Sequence, residues 1–168
     1  LPDYLLEIVD NAQIMAGAKN LHFEKKISQD ISIKVDRKRF QQVLENIIEN
    51  AIKFSPAGGK VFVTTRVESN KEEEDTAVIS IKDEGPGISK KNFEDIFEKF
   101  NQGDIKALKS LGVGLGLNIA REFAELNGAK IKVESTEGSG SIFSVYIPAS
   151  KIKESTSQED TAKDKLTV

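Results

Sequence analysis

Four groups of residues stand along the chain at spacings that could do chemistry together. Asn46, Asn50 and Lys53 come first, four and three residues apart, which places them on one stripe of a helix. Asp83 follows, opening the run Asp83-Glu84-Gly85-Pro86-Gly87. A Phe97/Phe100 pair comes next, and Gly112-Val113-Gly114-Leu115-Gly116-Leu117 closes the set. An amide oxygen can ligate a hard metal ion, and a carboxylate can accept a hydrogen bond from the exocyclic amine of a base. Glycine-rich backbone opening a helix can receive phosphate. Taken in order, the four groups supply the parts of a nucleotide site.

Each group also has a plainer reading. The Asn46/Asn50/Lys53 stripe borders the apolar face of its helix, a half-buried place at a cleft rim, yet two exposed polar residues would satisfy the same spacing. Asp83 before Gly-Pro-Gly suits a strand-ending turn, and read alone the turn comes first. Gly112 to Leu117 exposes backbone N–H groups near a positive helix end, or serves as a hinge. No Gly-Lys-Ser/Thr follows it, so it is not a P-loop, and no strand precedes it, so it is not a dinucleotide fingerprint. Phe97 and Phe100 read as core. Lys106 and Lys109 either reach phosphate oxygens or are ordinary loop lysines. His22, the single histidine, lies in a segment of strand character with no helical hairpin around it, so it is not assigned as phosphoacceptor or base.

The elements that must position these residues follow from periodicity. Asp3 to Ala16 predicts a helix with Pro2 at its start. Leu21–Ile27 and Ile31–Val35 alternate and are β-branched, which predicts a hairpin. Asp36 caps a long helix whose apolar positions are Phe40, Val43, Leu44, Ile47, Ile48 and Ala51, and Pro56-Ala57-Gly58-Gly59 breaks it. Lys60–Val67 and Ala77–Lys82 are paired strands joined by the polar, mobile turn Ser69–Asp75. Asn92–Lys99 predicts a short helix, Asn101–Leu111 has no period, and Leu115–Leu126 is an amphipathic helix stopped by Asn127-Gly128. Lys130–Glu134 and Ser141–Ile147 close the domain, turning through Glu137-Gly138-Ser139-Gly140. Helices grouped between strand pairs predict a layer of helices on one face of a mixed sheet. From residue 150 onward the chain is nearly all Lys, Glu, Asp, Ser and Thr, and is expected to be disordered.

Composition narrows the function. The chain has 168 residues, enough for one domain with its own core, and 38% hydrophobic against 30% charged residues is an ordinary globular balance. A net charge of −3 argues against a nucleic-acid binder, and the lack of cysteine removes disulfides, thiol chemistry and thiolate-bound metal. No apolar run approaches the roughly 18 residues of a membrane helix, and no signal peptide opens the chain. It begins at Leu1, as a piece of a longer protein would. A cytoplasmic domain is the expectation.

Together these motifs resemble the catalytic and ATP-binding domain of sensor histidine kinases, within the GHKL ATPase group. Glu45 to Pro56 resembles the N box, Asp83 to Ile88 the G1 box, Phe97-Glu98-Lys99-Phe100 the F box and Gly112 to Leu117 the G2 box. Gly138-Ser139-Gly140 before Phe143 resembles the last glycine motif. The resemblance covers roughly Leu5 to Pro148 and implies the Bergerat fold, an α/β two-layer sandwich with a mixed, mostly antiparallel sheet. It divides the chain into a domain at 1–149, with 1–4 as the exit of an absent dimerisation domain, and a tail at 150–168.

The resemblance also implies roles. Asn50 would bind Mg²⁺, and Asn50 and Lys53 would serve the transfer, Lys53 by touching phosphate. Asp83 would hold the adenine amine, with Gly87 against the ring. Nucleotide contacts would further involve Asn46, Gly85, Ile88, Phe100, Lys106, Lys109, Gly112, Val113, Gly114, Leu115, Gly116 and Leu117, with Asn101–Leu111 as a lid over ATP. Val113 departs from the usual Thr or Ser, and Asn127 from a frequent His, and both departures are expected to weaken ATP binding at most. The gyrase, Hsp90 and MutL hydrolases carry a general-base Glu where this chain has Asn46, and Glu45 and Glu49 point elsewhere around the helix. The implied activity is transfer of the γ-phosphoryl of Mg-ATP to a histidine on a separate dimerisation domain, with a response regulator downstream. The implied partners are thus ATP or ADP, that histidine domain and the regulator, with no nucleic acid. The isolated chain would be a monomer, and the intact protein could be membrane-anchored. A GHKL hydrolase, a protein-serine kinase of the anti-sigma type and a non-catalytic nucleotide sensor are the alternatives.

Overall fold

The computed structural model describes residues 1–28, 31–69, 75–98 and 116–148. Two layers form the domain: a five-stranded sheet and a set of helices packed on one of its faces.

The long helix α2 (Arg37–Phe54) is the spine of the helical layer. Asp36 caps it, its carboxylate accepting the Arg39 N–H at 3.1 Å. Phe40, Val43, Leu44, Ile47, Ile48 and Ala51 are all buried, so the predicted stripe is the core face. Ser55 is extended because Pro56 follows it, and this ends the helix. Helix α1 (Pro2–Met15) lies beside α2, burying Leu5, Ile8, Val9 and Ala12. It runs into a single 3-10 turn at Ala16–Lys19. Helix α3 (Gly116–Leu126) packs closely on α2 and ends at Gly128, whose φ of 69° lets the Ala129 N–H return to the Ala124 carbonyl at 2.8 Å. Asn127 joins the two helices: it accepts from the Asp36 N–H at 2.7 Å and donates to the Phe123 carbonyl at 2.8 Å.

The strands are β1 (His22–Lys26), β2 (Lys60–Glu68), β3 (Thr76–Asp83), β4 (Lys130–Ser135) and β5 (Ser141–Pro148), in spatial order β1-β2-β3-β5-β4. β1 runs parallel to β2 and all other pairs are antiparallel. Val61 faces Asp83 in one register and Ile81 faces Phe143 in the next. Val61, Val63, Ala77, Ile79, Ile81, Phe143, Val145 and Ile147 are buried in one cluster with the helices. On the opposite face Ser80 and Ser144 satisfy each other at 2.8 Å.

Two expectations fail. There is no hairpin between Leu21–Ile27 and Ile31–Val35: β1 takes its partner from β2, in parallel, and 31–36 joins no ladder. Its alternation reflects one-sided burial of an extended segment, with Ile31 buried and Ile33 and Val35 packed against the core. Nor do the described residues of the expected helix at 92–99 form one. Two 3-10 turns stand near there, at Lys90–Asn92 and Asp95–Phe97, each closed by short i→i+3 bonds such as Phe97 N–H to the Glu94 carbonyl at 3.1 Å. These three-residue closures replace the four-residue ladder of an α-helix, and they let Phe97 turn into the core, where its carbonyl accepts from the Asn118 amide at 2.9 Å. Residues 70–74 of the expected turn at Ser69–Asp75, the whole expected lid at Asn101–Leu111 and the expected tail at 150–168 lie outside the described residues.

Candidate nucleotide-binding site

Where β3 ends, Asp83 is buried, 5% exposed, although it is a carboxylate. Its Oδ1 accepts two backbone N–H groups, from Gly85 at 2.8 Å and Ser141 at 3.2 Å. Burial pushes its pKa above the ordinary value of 3.8, and those hydrogen bonds pull against that rise. The turn that follows is fastened to the β4–β5 turn. Gly138 N–H donates to the Pro86 carbonyl at 2.7 Å, and Ile88 N–H donates to the Ser135 hydroxyl at 2.7 Å. That hydroxyl in turn donates to the Gly140 carbonyl at 2.7 Å.

Two glycines make this close approach feasible. Gly87 (φ +72°) and Gly140 (φ +81°) both hold a left-handed conformation. A Cβ on Gly87 would overlap the Thr136 carbonyl oxygen, and one on Gly140 would overlap the carbonyl oxygen of Asp83. The sequence suggested glycine for the approach of a flat ring; the contact that requires it at both positions is turn against turn.

The other wall is the last part of α2. Asn50 donates its amide nitrogen to the Asn46 carbonyl at 2.9 Å. Because a carbonyl accepts only from the nitrogen side, Asn50 Oδ1 is the end left for a ligand. Asn46 is more buried than its predicted rim position, at 8% exposed, and its Nδ2 has no hydrogen-bond partner among the described residues. A Cβ on Gly116 would stand 3.2 Å from Asn46 Oδ1, so the start of α3 rests on this side chain. Lys53 is half-buried, its ammonium 5.8 Å from the Phe54 ring centroid, and desolvation lowers its pKa.

Asn50, Asp83, Gly87, Ile88 and Leu117 line one cleft together, joined by Phe54, Pro86, Ile96, Ser141 and Phe143. Gly85 sits behind Asp83, where a Cβ would come 2.7 Å from Oδ1. Asn46, Lys53 and Gly116 flank the cleft without lining it. Phe100, Lys106, Lys109, Gly112, Val113, Gly114 and Leu115 lie outside the described residues. Phe97 is core, edge-on to Phe143 at 6.4 Å. His22 is an exposed β1 residue whose N–H donates to the Gly59 carbonyl at 3.0 Å, as its strand assignment requires. Asn127 sits at the far end of α2 from Asn50 with both ends of its amide engaged, so its departure from His is a matter of helix packing. Sequence reasoning did not find Ser135, Ser141 or Phe54; the only signal for the first two was their place flanking Gly138-Ser139-Gly140.

No cluster of three His, Cys, Asp or Glu side chains able to hold a metal exists among the described residues. A divalent ion is nonetheless compatible with the free oxygen of Asn50, because magnesium takes few protein ligands and completes its shell with water and phosphate oxygen. No helix among the described residues is long and apolar enough to cross a membrane.

A helix-backed sheet with a buried carboxylate at a strand end and a side-chain amide on the facing helix defines a nucleotide-binding α/β sandwich. The chain belongs to the histidine kinase-, DNA gyrase B- and HSP90-like ATPase family, whose pattern matches residues 35–151. It is 38% identical over 143 residues to the sensor histidine kinase WalK of Bacillus subtilis, covering 84% of this chain and 23% of that protein. It is 38% identical over 116 residues to the circadian input-output histidine kinase CikA of Synechococcus elongatus, covering 68% of this chain and 15% of that one. The chain thus spans under a quarter of the length of these curated relatives. Among solved structures it resembles the nucleotide-free catalytic domain of the histidine kinase ThkA, with a TM-score of 0.73 and 29% identity over 88% of this chain and 91% of that one. Full-length ShkA in complex with AMPPNP matches with a TM-score of 0.71 and 27% identity, over 87% of this chain and 29% of ShkA. The Bergerat sandwich expected from the motifs is the observed fold.

Proposed function

We propose that this chain binds Mg-ATP in the cleft between α2 and the end of β3 and presents the γ-phosphoryl group to a histidine on a separate dimerisation domain. The observation that carries the reading is the pairing of Asp83 and Asn50 on one cleft, each held by backbone so that one oxygen remains for a ligand. Asp83 accepts the adenine amine. A guanine presents a carbonyl at that position, and two facing acceptors repel, so Asp83 selects adenine. Asn50 Oδ1 would hold Mg²⁺, which when bound neutralises charge on the phosphates. Lys53 reaches phosphate from the same helix; desolvation there lowers the pKa of its ammonium. Further nucleotide contacts proposed on this reading are Asn46, Gly85, Gly87, Ile88 and Leu117, together with Phe100, Lys106, Lys109, Gly112, Val113, Gly114, Leu115 and Gly116.

In the transfer the bond from the γ-phosphorus to the bridging oxygen breaks, a bond to an imidazole nitrogen forms, and ADP leaves. Such a step asks the protein mainly for position and charge neutralisation. Hydrolysis would need a base to take a proton from water. The residue one turn before Asn50 is an amide, Asn46, and the neighbouring Glu45 is engaged by Gln41 at 2.7 Å. On this reading the ATP-binding domain runs over 1–149 and 150–168 is a tail. The chain acts as the cytoplasmic, monomeric ATP-binding part of a two-component sensor whose response regulator receives the phosphoryl group. Incubation with γ-labelled ATP and a dimeric histidine-bearing helical hairpin tests this. Acid-labile label on the hairpin is expected, and rapid release of free phosphate with no labelled hairpin would point to a hydrolase instead.

A further inference from the structure

We infer that Asn118 is a positioning residue for the base end of the cleft, fastening two of its walls, Ile96 and Leu117, to each other; this deepens the ATP reading above and rests on it. The two residues come from separate elements. Ile96 stands in the 3-10 turn at Asp95–Phe97 and Leu117 in the first turn of α3, and both line the cleft. A 3-10 turn of three residues has little stability of its own, so Ile96 depends on its neighbours for its place.

That hold comes from one face of α3. Asn118, next to Leu117, donates from Nδ2 to the carbonyl of Phe97, next to Ile96, at 2.9 Å. One turn further on, the Arg121 guanidinium lies 5.6 Å from the Phe97 ring centroid, and its Nη1 is 3.6 Å from a Glu94 carboxylate oxygen. The ion pair is exposed, with the Glu94 side chain at 86%, and exposed pairs hold little. Asn118 is half-buried, and its amide is aimed by a carbonyl, which only accepts. Its Oδ1 is thereby left buried without a partner among the described residues.

The wall stands at the Asp83 end. Phe97 meets Phe143 edge-on at 6.4 Å. Phe143 lines the cleft two residues along β5 from Ser141, whose N–H reaches Asp83 Oδ1 at 3.2 Å. Across the ladder Phe143 faces Ile81, two residues before Asp83 on β3. An apolar wall of this kind packs against a purine ring and gives a phosphate no donor. A loosened 3-10 turn therefore acts on the base.

Calorimetric titration with adenosine and with Mg-ATP tests this in wild type, Asn118→Leu, Ile96→Ala and the double variant. Leucine keeps the size of Asn118 while removing the buried unpaired oxygen and leaving the Phe97 carbonyl without its donor. Those two effects oppose each other, so the melting temperature of the free chain should change little. Both ligands should weaken by the same factor, about tenfold, as for one lost hydrogen bond. In the Ile96→Ala background the same substitution should cost only about twofold, because a side chain it positions is gone. With a histidine-bearing helical hairpin as acceptor, KM for ATP should rise and kcat should hold, since the wall touches substrate and transition state alike. Wild-type affinity for adenosine in Asn118→Leu, a loss confined to Mg-ATP, or an equal loss with and without Ile96 overturns the role. Wild-type chain that binds neither ligand overturns the ATP reading and the Asn118 role with it, whereas wild-type binding with an unaffected variant removes Asn118 alone. If Asn118→Leu does not fold, Asn118→Ser, one atom shorter, is read by the same outcomes.

Discussion

The two ends of the cleft are built in opposite ways. At the β3 end, Asp83 is fixed by two backbone hydrogen bonds, and its turn is joined to the β4–β5 turn through Ser135, Gly138 and Gly140. At the α2 end, Asn46 Nδ2 is buried and Asn50 Oδ1 is free, neither with a partner among the described residues, and Lys53 is only half-buried. One end is complete before any ligand arrives; the other keeps polar capacity in reserve. A buried unpaired donor has a cost of about 1–3 kcal/mol, which a ligand can relieve. On the proposed reading, base recognition is preorganised, and phosphate and metal recognition would be completed by what binds.

The largest break in that comparison comes from Gly140→Ala. The added methyl meets the Asp83 carbonyl oxygen at a positive φ, so a loss of about 3 kcal/mol or more in unfolding free energy is expected. Denaturant titration checks it, and a variant within about 0.5 kcal/mol of wild type would mean the two turns are not locked. Asp83→Asn should weaken ATP by about a hundredfold while keeping the backbone bonds through its remaining oxygen. Asn50→Ala should cost about tenfold, and only when Mg²⁺ is present; affinity in chelator should match wild type.

The smallest effect is a pH dependence. The folded pKa of Asp83 lies above its unfolded value, so its contribution to stability is present below that unfolded value and is lost as pH rises through the folded pKa. Asp83→Asn carries no such loss. Its melting temperature relative to wild type should therefore climb as pH rises from about 4 toward neutrality. A flat difference would place the carboxylate in water.

The contrast between the two ends also explains what could be read from the chain itself. α2 was legible, cap and core face together, because its signals are local: Asp36 serves Arg39, and the apolar spacing is that of one helix. The places of Asn50 on that helix and of Asp83 at a strand end were legible for the same reason, each being fixed by a local element. The hairpin at 21–35 was misread because alternation reports which side is buried and says nothing about which strand is the partner. The helix at 92–99 gave way to three-residue closures, such as Phe97 N–H to the Glu94 carbonyl, that carry the Phe97 ring into the core. Ser135 meets Ile88 from 47 positions away, and Lys19 meets the end of α2 from 33 to 36 positions away. No local pattern announces either one.

The most direct measurement is a paired titration of adenosine and Mg-ATP into wild type, Asp83→Asn and Asn50→Ala. The preorganised base end predicts that Asp83→Asn loses both ligands, whereas Asn50→Ala keeps adenosine and loses only the Mg-dependent part of ATP binding. An Asp83→Asn variant that binds ATP as tightly as wild type would contradict the site.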